Sequence, residues 1–409
     1  MSYPTLRLHP RKEESVLRFH PWIFSGAIAS FSAPVEDGDL VSVVDSKGRP
    51  LGTGHFGGGS IAVRLLSFDA EEVIDRAFYK RRLEAALRLR LSCDLVRPVG
   101  FSDSPNTTYR LVHGEGDSLP GLIIDIYYRT AVVQAHSLGM HQARQTIAEV
   151  LWEVFAEAGD PVLSLEGIYY KSETTLPTRD MRELASDGFL IGHTEAAPIY
   201  ENGVRFTPDW LKGQKTGFFI DQRDNRALVA HYAKGRTVLN AFCYTGGFSI
   251  YALHAGAKRV DSLDSSAKAM YLTEQHVALN FGTDCPRHHS VTEDAFDYLE
   301  RMSEGEYDLI ILDPPAFAKH RKVLRNALIG YRKINSIAFK KVAPGGIVFT
   351  FSCSQAVSKE EFRLAVFTAA AASGRKVRIL HQLTQPVDHP INIYHPEGEY
   401  LKGLVLYVE

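Results

Sequence analysis

The second half of the chain alternates short apolar segments with helical ones, and this alternation restricts the fold more than any other feature. The apolar segments predict strands at Arg236–Phe242, Arg259–Asp264, His288–Val291, Tyr307–Asp313, Gly346–Phe351, Val377–Leu380 and Leu401–Val408. Apolar strands joined to helices through short turns are typical of a parallel sheet covered on both faces. We therefore predict a doubly wound α/β sheet, which binds its ligands at the carboxyl ends of the strands.

Two other patterns precede this sheet and indicate separate domains. Residues 1–70 contain short strand signals broken by glycines, which predict a small β-barrel. A helix predicted from about Ala70 to Leu91 follows, and the chain then continues as mixed α+β to about residue 205. A length of 409 residues suits two or three domains. We expect domain boundaries near residues 70 and 205, with the α/β sheet over 206–409.

Composition excludes several classes of protein. Hydrophobic residues make up 45% of the chain and charged residues 23%, which is typical of a globular protein. The four cysteines are scattered and form no C-x-x-C pair, so we expect neither a disulfide scaffold nor a metal site. No apolar run approaches the roughly 18 residues of a membrane helix, and the N-terminus lacks the apolar core of a secretion signal. We therefore expect a cytoplasmic protein without a membrane partner.

Charge is balanced overall, but two segments concentrate basic residues. The chain has 46 Lys and Arg against 48 Asp and Glu, a net charge of −2. Residues 319–341 contain no acidic residue, and the only acidic residues in 76–97 are Glu84 and Asp94. A concentrated basic segment can hold a polyanion such as a nucleic acid. The alternative is that both segments are solvated helix faces whose acidic partners lie elsewhere. The candidate RNA contacts in the first segment are Lys319, Arg321, Lys322 and Arg325.

Polar and small residues follow the first three predicted strands of the sheet. Gly246 and Gly247 either let the backbone approach a ligand or form a plain tight turn. The turn lacks the G-x-G-x-x-G pattern, which argues against a dinucleotide cofactor and so against a dehydrogenase. Asp264 ends the second strand, where its two carboxylate oxygens can bind both hydroxyls of a ribose or cap a helix. After the third strand, Asp294 can bind an adenine amino group or cap a helix, with Ala295 or Phe296 beside the ring.

The fourth predicted strand ends in an Asp-Pro-Pro turn at Asp313. Two prolines directly after a buried strand make a rigid turn, and an aspartate held there can hydrogen-bond a planar substrate. In enzymes that methylate amino nitrogens, a turn of this kind is usually followed directly by an aromatic residue. Here Ala316 comes next and Phe317 only after it, which argues against an amino-group acceptor.

The fifth predicted strand runs into Cys353, which lies beside Asp313 if the two strands are neighbours. A thiolate there suits one reaction, because its addition to carbon 6 of a pyrimidine lets carbon 5 take a methyl group from a sulfonium donor. The alternative is an inert buried cysteine, the commonest state of a free thiol. We expect that state for Cys93, Cys243 and Cys285, and we predict that Cys353 and Asp313 are catalytic.

Blocks spread over nearly the whole chain resemble the S-adenosylmethionine-dependent ribosomal RNA large-subunit methyltransferase I family, cytosine-C5 enzymes with an N-terminal PUA domain. In the second block Ser118 stands where glycine is usual. The blocks are His20–Phe24, Tyr109–Leu122, Lys215–Arg226, Tyr244–Phe248, Asp313–Pro315, Phe351–Ser354, Asp388–Pro390 and Pro396–Gly403. The blocks are long and occur in the family's order.

The resemblance implies a class I methyltransferase domain over 206–409, a PUA RNA-binding domain over about 1–70 and a central α+β domain over 71–205. It implies S-adenosylmethionine as the methyl donor and 23S ribosomal RNA or a large-subunit precursor as the substrate. The oligomeric state stays open, with a homodimer among the states it allows. The donor contacts that it implies are Gln222, Asn240, Phe242, Tyr244, Thr245, Gly246, Gly247, Asp264, Ser265, Asp294, Ala295, Phe296, Asp313 and Pro314.

Two other functions are compatible with the sequence. One is a ribosomal RNA methyltransferase that acts on a guanine nitrogen, for which Cys353 would be idle. The other is an RNA-binding assembly factor without catalysis. Cytosine-C5 methylation is preferred because it alone uses the thiol at the strand end.

Overall fold

A computed structural model describes residues 3–96, 106–160, 163–177, 183, 186–318 and 320–409. The chain divides into two compact units. The first contains Met1–Glu201, Thr207–Ile220 and Val387–Gly398, and the second contains Asn202–Phe206, Asp221–Pro386 and Glu399–Glu409. The expected domain boundaries near residues 70 and 205 stay predictions. Among the described residues, no helix combines the length and the apolarity that a membrane crossing requires.

The first unit begins with a strand-rich module, as the broken strand signals predict. Its strands form one sheet in the order β2-β6-β5-β4-β1-β3, in which β1 and β4 are parallel and the other pairs are antiparallel. Apolar side chains of these strands, among them Leu6, Val41 and Val63, form a core of their own. The bounds are β1 Thr5–Leu8, α1 Glu14–Leu17, β2 Trp22–Phe24, β3 Ile28–Phe31, β4 Leu40–Val44, β5 Pro50–Phe56 and β6 Ile61–Ser67.

The rest of the first unit is mixed α+β, with a second sheet in the order β11-β10-β9-β8-β7. Helix α2 begins six residues later than predicted, because the Asp75 side chain accepts a hydrogen bond from the Phe78 amide and caps the helix there. The bounds are α2 Arg76–Ser92, β7 Thr108–His113, β8 Leu122–Tyr127, β9 Thr130–Ala135, α3 Leu138–Gln142, α4 Arg144–Ala158, β10 Gly167–Tyr170, β11 Gly188–Gly192 and β12 Ile199–Glu201.

The basic residues of α2 are neutralised within the first unit. Arg76 and Lys80 pair with Glu153 on α4, and Arg81 pairs with Glu72. Arg90 is buried and pairs with Asp117. For the described part of residues 76–97, the structure therefore favours the alternative of a helix whose acidic partners lie elsewhere over that of a polyanion site.

The second unit contains the sheet that the alternating pattern predicts. Its strands lie in the order β16-β15-β14-β17-β18-β20-β19, parallel from β16 to β18, with β20 antiparallel to β18 and β19 antiparallel to β20. The bounds are β13 Val204–Phe206, α5 Arg223–Ala233, β14 Thr237–Ala241, α6 Gly247–His254, β15 Arg259–Asp264, α7 Ala267–Phe281, β16 His288–Thr292, α8 Ala295–Arg301, β17 Leu309–Leu312, α9 Leu324–Lys341, β18 Gly346–Ser352, α10 Lys359–Ser373, β19 Val377–Leu383 and β20 Lys402–Val408.

Helices cover both faces of this sheet, which confirms the doubly wound prediction. Helices α8, α9 and α10 pack on the face that carries Leu239, Ile310 and Val348. On the opposite face, Phe248 of α6 stacks on Phe351, and Tyr232 of α5 packs against Phe349. The strand order reverses between β14 and β17, so the carboxyl ends of these two strands open the crevice where ligands of such sheets bind.

Candidate active site

The strand register brings the predicted site residues to one edge of the sheet. Ala241 at the end of β14 lies opposite Leu312 of β17, and Leu312 lies opposite Thr350 of β18. Asp313 directly follows β17, and Cys353 directly follows β18. Because neighbouring strands are about 4.8 Å apart, the turn after β14, Asp313 and Cys353 occupy adjacent positions along this edge. The fourth and fifth predicted strands are neighbours, so the condition under which Cys353 lies beside Asp313 is met.

The turn after β14 is held in an unfavourable backbone conformation. Phe242 and Tyr244 have φ angles of 60° and 48°, in the left-handed region that residues with side chains seldom adopt. Each such residue costs on the order of 1–3 kcal/mol and persists only where its surroundings enforce it. Here the Asp264 carboxylate accepts the Tyr244 amide at 3.0 Å, and His276 contacts the Thr245 carbonyl at 2.8 Å. Strain of this kind is frequent at ligand sites.

The packing around this turn requires both of its glycines. Gly246 has a φ of 79°, and a Cβ atom there would lie 2.6 Å from the Thr273 side chain. A Cβ atom on Gly247 would lie 3.1 Å from Cδ of Arg226. The protein's own side chains therefore fill both positions, which is the physical reason that small residues are needed.

Asp264 lies at the end of β15 with acceptor capacity to spare. Its Oδ2 accepts the Tyr244 amide at 3.0 Å, and its Oδ1 accepts the Ser266 amide at 2.9 Å. Ser266, and not Asp264, is the N-cap of α7, so the helix-cap alternative for Asp264 was wrong. A carboxylate can accept about four hydrogen bonds, which leaves two acceptor positions for the hydroxyls of a ribose. Ser265 beside it is exposed.

At the end of β16 the helix-cap alternative is the one observed. Asp294 is the N-cap of α8, where its Oδ1 accepts the amides of Phe296 and Asp297 at 2.8 and 3.2 Å. The half-buried ring of Phe296 lies 6.4 Å from that of Phe242, so two aromatic rings flank this edge beside the buried Ala295. A carboxylate for a ribose and apolar rings for a base suit the adenosyl part of S-adenosylmethionine.

Asn240 lies deeper than a donor contact requires. Its side chain is fully buried, and its Nδ2 donates to Oγ of Ser249 at 2.9 Å. Ser249 continues the hydrogen-bonded chain to Ser262 and His288. The Asn240 side chain thus ties β14 to α6 and β15, and its expected contact with the donor stays a prediction.

Asp313 is half-buried and is oriented by Gln222. Nε2 of Gln222 donates to Oδ2 of Asp313 at 3.1 Å, while Oε1 of Gln222 accepts from Asn225 at 2.6 Å. Gln222, expected as a donor contact, therefore supports the predicted catalytic aspartate. Pro314, which follows, is buried.

The aromatic residue of the Asp-Pro-Pro turn points into the unit. The ring of Phe317 lies 4.7 Å from that of Tyr331, and Gly330 of α9 packs close beneath it. The half-buried ring also lies 6.3 Å from that of Phe296.

The two cysteines of the second unit's site motifs lie in different surroundings. Cys243 is buried against Met270, and burial together with the Asp264 charge raises the pKa of its thiol far above the usual range. Cys353 is half-buried. Of the two, only Cys353 is partly exposed, at the end of β18.

Two residues close to Cys353 were not predicted from the sequence. Lys402 of β20 lies opposite Ser352 in the antiparallel register, and its Nζ donates to the carbonyls of Ser354 and Val357 at 2.5 and 2.8 Å. Burial lowers the pKa of Lys402 to about 8, and the nearby Cys353 opposes this lowering. Burial, together with the charges of Cys353 and Asp313, raises the pKa of Tyr331 to about 12. A lysine inside the apolar run 401–408 was the sequence signal that could have revealed Lys402.

The basic segment after β17 is only partly neutralised. Lys333 pairs with Glu300 at 2.7 Å, and Arg321 contacts Glu361 at 3.4 Å. Among the described residues, neither Lys322 nor Arg325 forms an ion pair. Arg325 also borders an apolar groove of about 350 Å³ between α9 and α10. Lys319, the remaining candidate RNA contact, lies outside the described residues.

Comparison with known proteins decides the family. A model of S-adenosylmethionine-dependent methyltransferases matches residues 178–394, and a model of PUA-like domains matches residues 6–68. The chain is 40% identical over 407 residues to ribosomal RNA large subunit methyltransferase I of Shewanella denitrificans, covering 98% of both chains. It is 40% identical over 401 residues to the protein of the same name from Aeromonas salmonicida, covering 97% of both. This chain belongs to the ribosomal RNA large-subunit methyltransferase I family.

Membership in this family confirms the methyltransferase fold, the PUA-like module and S-adenosylmethionine as the donor. The fold also matches a solved Streptococcus mutans protein described as a SAM-dependent methyltransferase, with a TM-score of 0.81 and 22% identity over both whole chains. A second solved methyltransferase, in complex with SAH, gives a TM-score of 0.82, again with 22% identity over both whole chains.

We predict that Asp264 binds the ribose of the donor. Asp264→Ala should weaken S-adenosylmethionine binding at least about tenfold, because a charged acceptor of two hydrogen bonds is lost. Calorimetric titration measures the change. Asp297→Ala, which removes an exposed acid from α8, is the control and should bind the donor normally. An unchanged affinity in folded Asp264→Ala protein would refute the assignment.

Proposed function

We propose that this protein transfers a methyl group from S-adenosylmethionine to carbon 5 of a cytosine in 23S ribosomal RNA or a large-subunit precursor. The reaction would take place in the cytoplasm and pass through a covalent bond between Cys353 and carbon 6 of the base. The observation that carries the proposal is the half-buried thiol at the end of β18, one strand from Asp313. The relatives at 40% identity are named as large-subunit ribosomal RNA methyltransferases, which supports the choice of RNA.

Carbon 5 of cytosine is a poor nucleophile until a group adds to carbon 6. In the proposed first step the Cys353 thiolate forms a bond to carbon 6, and the electron pair of the carbon 5–carbon 6 double bond moves toward the ring nitrogen N3. Asp313, in its protonated form, would hydrogen-bond N3 and stabilise the charge that develops there. The hydrogen bond from Gln222 to Oδ2 of Asp313 holds the carboxyl in place.

The donor supplies an electrophilic methyl group when bound. Carbon 5 of the Cys353 adduct would take this methyl group as the methyl–sulfur bond breaks, and S-adenosylhomocysteine would be released. Carbon 5 then carries both the methyl and its original proton. Loss of that proton to a base restores the double bond and expels the thiolate from carbon 6. The target cytosine must leave its stack to reach a thiol at the sheet edge, and the PUA-like module would bind RNA as an accessory.

Lys402 would stabilise the thiolate form of Cys353. Its ammonium donates to two carbonyls of the loop that follows Cys353, and it interacts electrostatically with Cys353. With a pKa lowered to about 8, Lys402 is still mostly charged near neutral pH. Above pH 8 it loses its proton, and the stabilisation of the thiolate fades as pH rises. Lys402 is thus a positioning residue that acts through Cys353.

Methylation of a guanine nitrogen is the second candidate. It would leave Cys353 and Lys402 without a chemical role, which favours the cytosine reaction. A non-catalytic assembly factor would need neither the thiol nor the donor site.

Of the predictions that follow from this function, the first concerns the covalent bond. RNA with 5-fluorocytosine at the target should stall after methyl transfer, because fluorine does not leave as a proton does, and a denaturing gel should show an RNA–protein adduct. Cys353→Ala should abolish the adduct and lower methylation more than about 10³-fold, as loss of a nucleophile does, with donor binding retained. Cys243→Ala should still form the adduct. Cytosine-C5 methylation by Cys353→Ala near the wild-type rate would contradict the mechanism.

The second prediction concerns Lys402. Lys402→Met should move the pH midpoint of Cys353 alkylation upward by roughly one pH unit or more, since an opposite charge within about 4–6 Å lowers a thiol pKa by that amount. Mass spectrometry of iodoacetamide-treated protein measures the midpoint. Lys258→Met, which removes an exposed lysine before β15 at the other edge of the sheet, should leave it unchanged. The same midpoint in folded Lys402→Met protein would show that Lys402 is only structural.

The third prediction concerns RNA phosphates. Replacing Arg321, Lys322 and Arg325 by Gln should weaken RNA binding and flatten its salt dependence, because fewer counterions are released. The matched control replaces Arg76, Arg81 and Arg88 of α2, which already have acidic partners. If the slope of log affinity against log salt stays the same in the first variant, these residues are only a solvated face.

A further inference from the structure

Three metal-ligand side chains converge in the first unit, and the methyl transfer uses none of them. His20 precedes β2, while His395 and Glu397 belong to the segment Val387–Gly398. Their ligand atoms all lie within 4.8 Å of one another. Oε2 of Glu397 is shared between the two rings, 3.3 Å from Nε2 of His20 and 3.8 Å from Nε2 of His395.

His395 is buried, and its ring nitrogens lack hydrogen-bond partners among the described residues. Its exposed fraction is 2%. Burying a polar atom without a partner costs about 1–3 kcal/mol, so such atoms usually mark an ion or water. The ring of Trp22 packs edge-on at 4.3 Å and holds His395 with Nε2 toward Glu397, and Trp22 is itself fixed by a 2.8 Å hydrogen bond to Glu115.

The surroundings of His20 permit the tautomer that a metal ligand needs. Nδ1 of His20 lies 3.3 Å from the Trp22 carbonyl oxygen. With its proton on Nδ1, the ring donates to that carbonyl and turns the Nε2 lone pair toward Glu397 and His395. Metal-ligating histidines are usually oriented by such a hydrogen bond from the other ring nitrogen. In the other tautomer, Nδ1 accepts the Trp22 amide at 3.2 Å and Nε2 donates to Glu397, which satisfies His20 but not His395.

We propose that His20, His395 and Glu397 bind one divalent transition-metal ion of the zinc class, with water as the fourth ligand. Two imidazoles and a carboxylate are a donor set that Zn²⁺ uses, whereas Mg²⁺ and Ca²⁺ prefer oxygen donors alone. Tetrahedral bonds of about 2.0–2.1 Å place ligand atoms roughly 3.3 Å apart. The His20–Glu397 distance already has this value, and the His395–Glu397 distance exceeds it by half an ångström. The sequence analysis expected no metal. The proposed ligands come from the two ends of the chain, so no local sequence motif indicates the site.

The ion would join the segment Val387–Gly398 to the strand-rich module within the first unit. It binds only where the folded chain has brought His20 next to His395 and Glu397. Binding to the folded state alone raises the stability of that state by mass action. Zinc should therefore raise the melting temperature of the full-length protein as well as bind to it.

The test uses full-length protein freed of metal by a chelator and dialysis. Titration with Zn²⁺ against a chromophoric competitor should give one tight equivalent per chain, Co²⁺ should develop visible absorption bands, and Mg²⁺ should do neither. His395→Asn and Glu397→Gln should each lower zinc affinity by more than the roughly 10- to 100-fold that loss of a supporting group costs. His231→Asn, which removes an exposed histidine of α5, should bind zinc as the wild type does.

Glu397→Gln keeps the proposal testable if His395→Asn fails to fold, because Glu397 is half exposed and its change leaves the buried rings in place. The proposal predicts a zinc-dependent rise in melting temperature for the wild type and for His231→Asn, and none for Glu397→Gln. It is overturned if the wild type binds zinc no more tightly than Glu397→Gln. In that case His395 contacts only water, and the pair of His20 and Glu397 is a plain hydrogen bond.

Discussion

The site depends on the register of three parallel strands. Because Ala241, Leu312 and Thr350 lie opposite one another, the turn after β14, Asp313 and Cys353 emerge at the same edge. A shift by one residue would turn the apolar side chains of a strand to the opposite face, so the packing of α8, α9 and α10 on one face protects this register. The chemistry at the edge is thus fixed by the core beneath it.

Most of the fold could be predicted from the sequence, and the site could be predicted in part. Apolar strands and polar strand ends predict the doubly wound sheet and place Asp264, Asp313 and Cys353 at its edge. Side-chain partners are not encoded locally, so the burial of Asn240 and the packing role of Gly246 emerge only from the folded chain. Ser118 is another example, since it stands where glycine is usual in the family. Its φ of 57° lies in the left-handed region, which favours glycine, and this backbone angle is seen only in the structure.

Residues of the same type in similar sequence positions differ in their electrostatic surroundings. Cys243 and Cys353 both follow apolar strands, yet burial and the Asp264 charge keep the first thiol protonated, while the second is half-buried beside Lys402. The two basic segments also differ, since the arginines of α2 have acidic partners and Lys322 and Arg325 have none among the described residues. The proposed metal ligands show the same dependence on the fold, because His20 and His395 become neighbours only after folding.

The central claim is that carbon 5 of cytosine receives the methyl group. The most direct measurement treats 23S ribosomal RNA with the protein and S-adenosylmethionine labelled in its methyl group, digests the RNA to nucleosides and identifies the labelled product by mass spectrometry. The account predicts labelled 5-methylcytidine with the wild-type protein and no label with Cys353→Ala. Labelled methylguanosine, or label on the exocyclic nitrogen of cytidine, would contradict it.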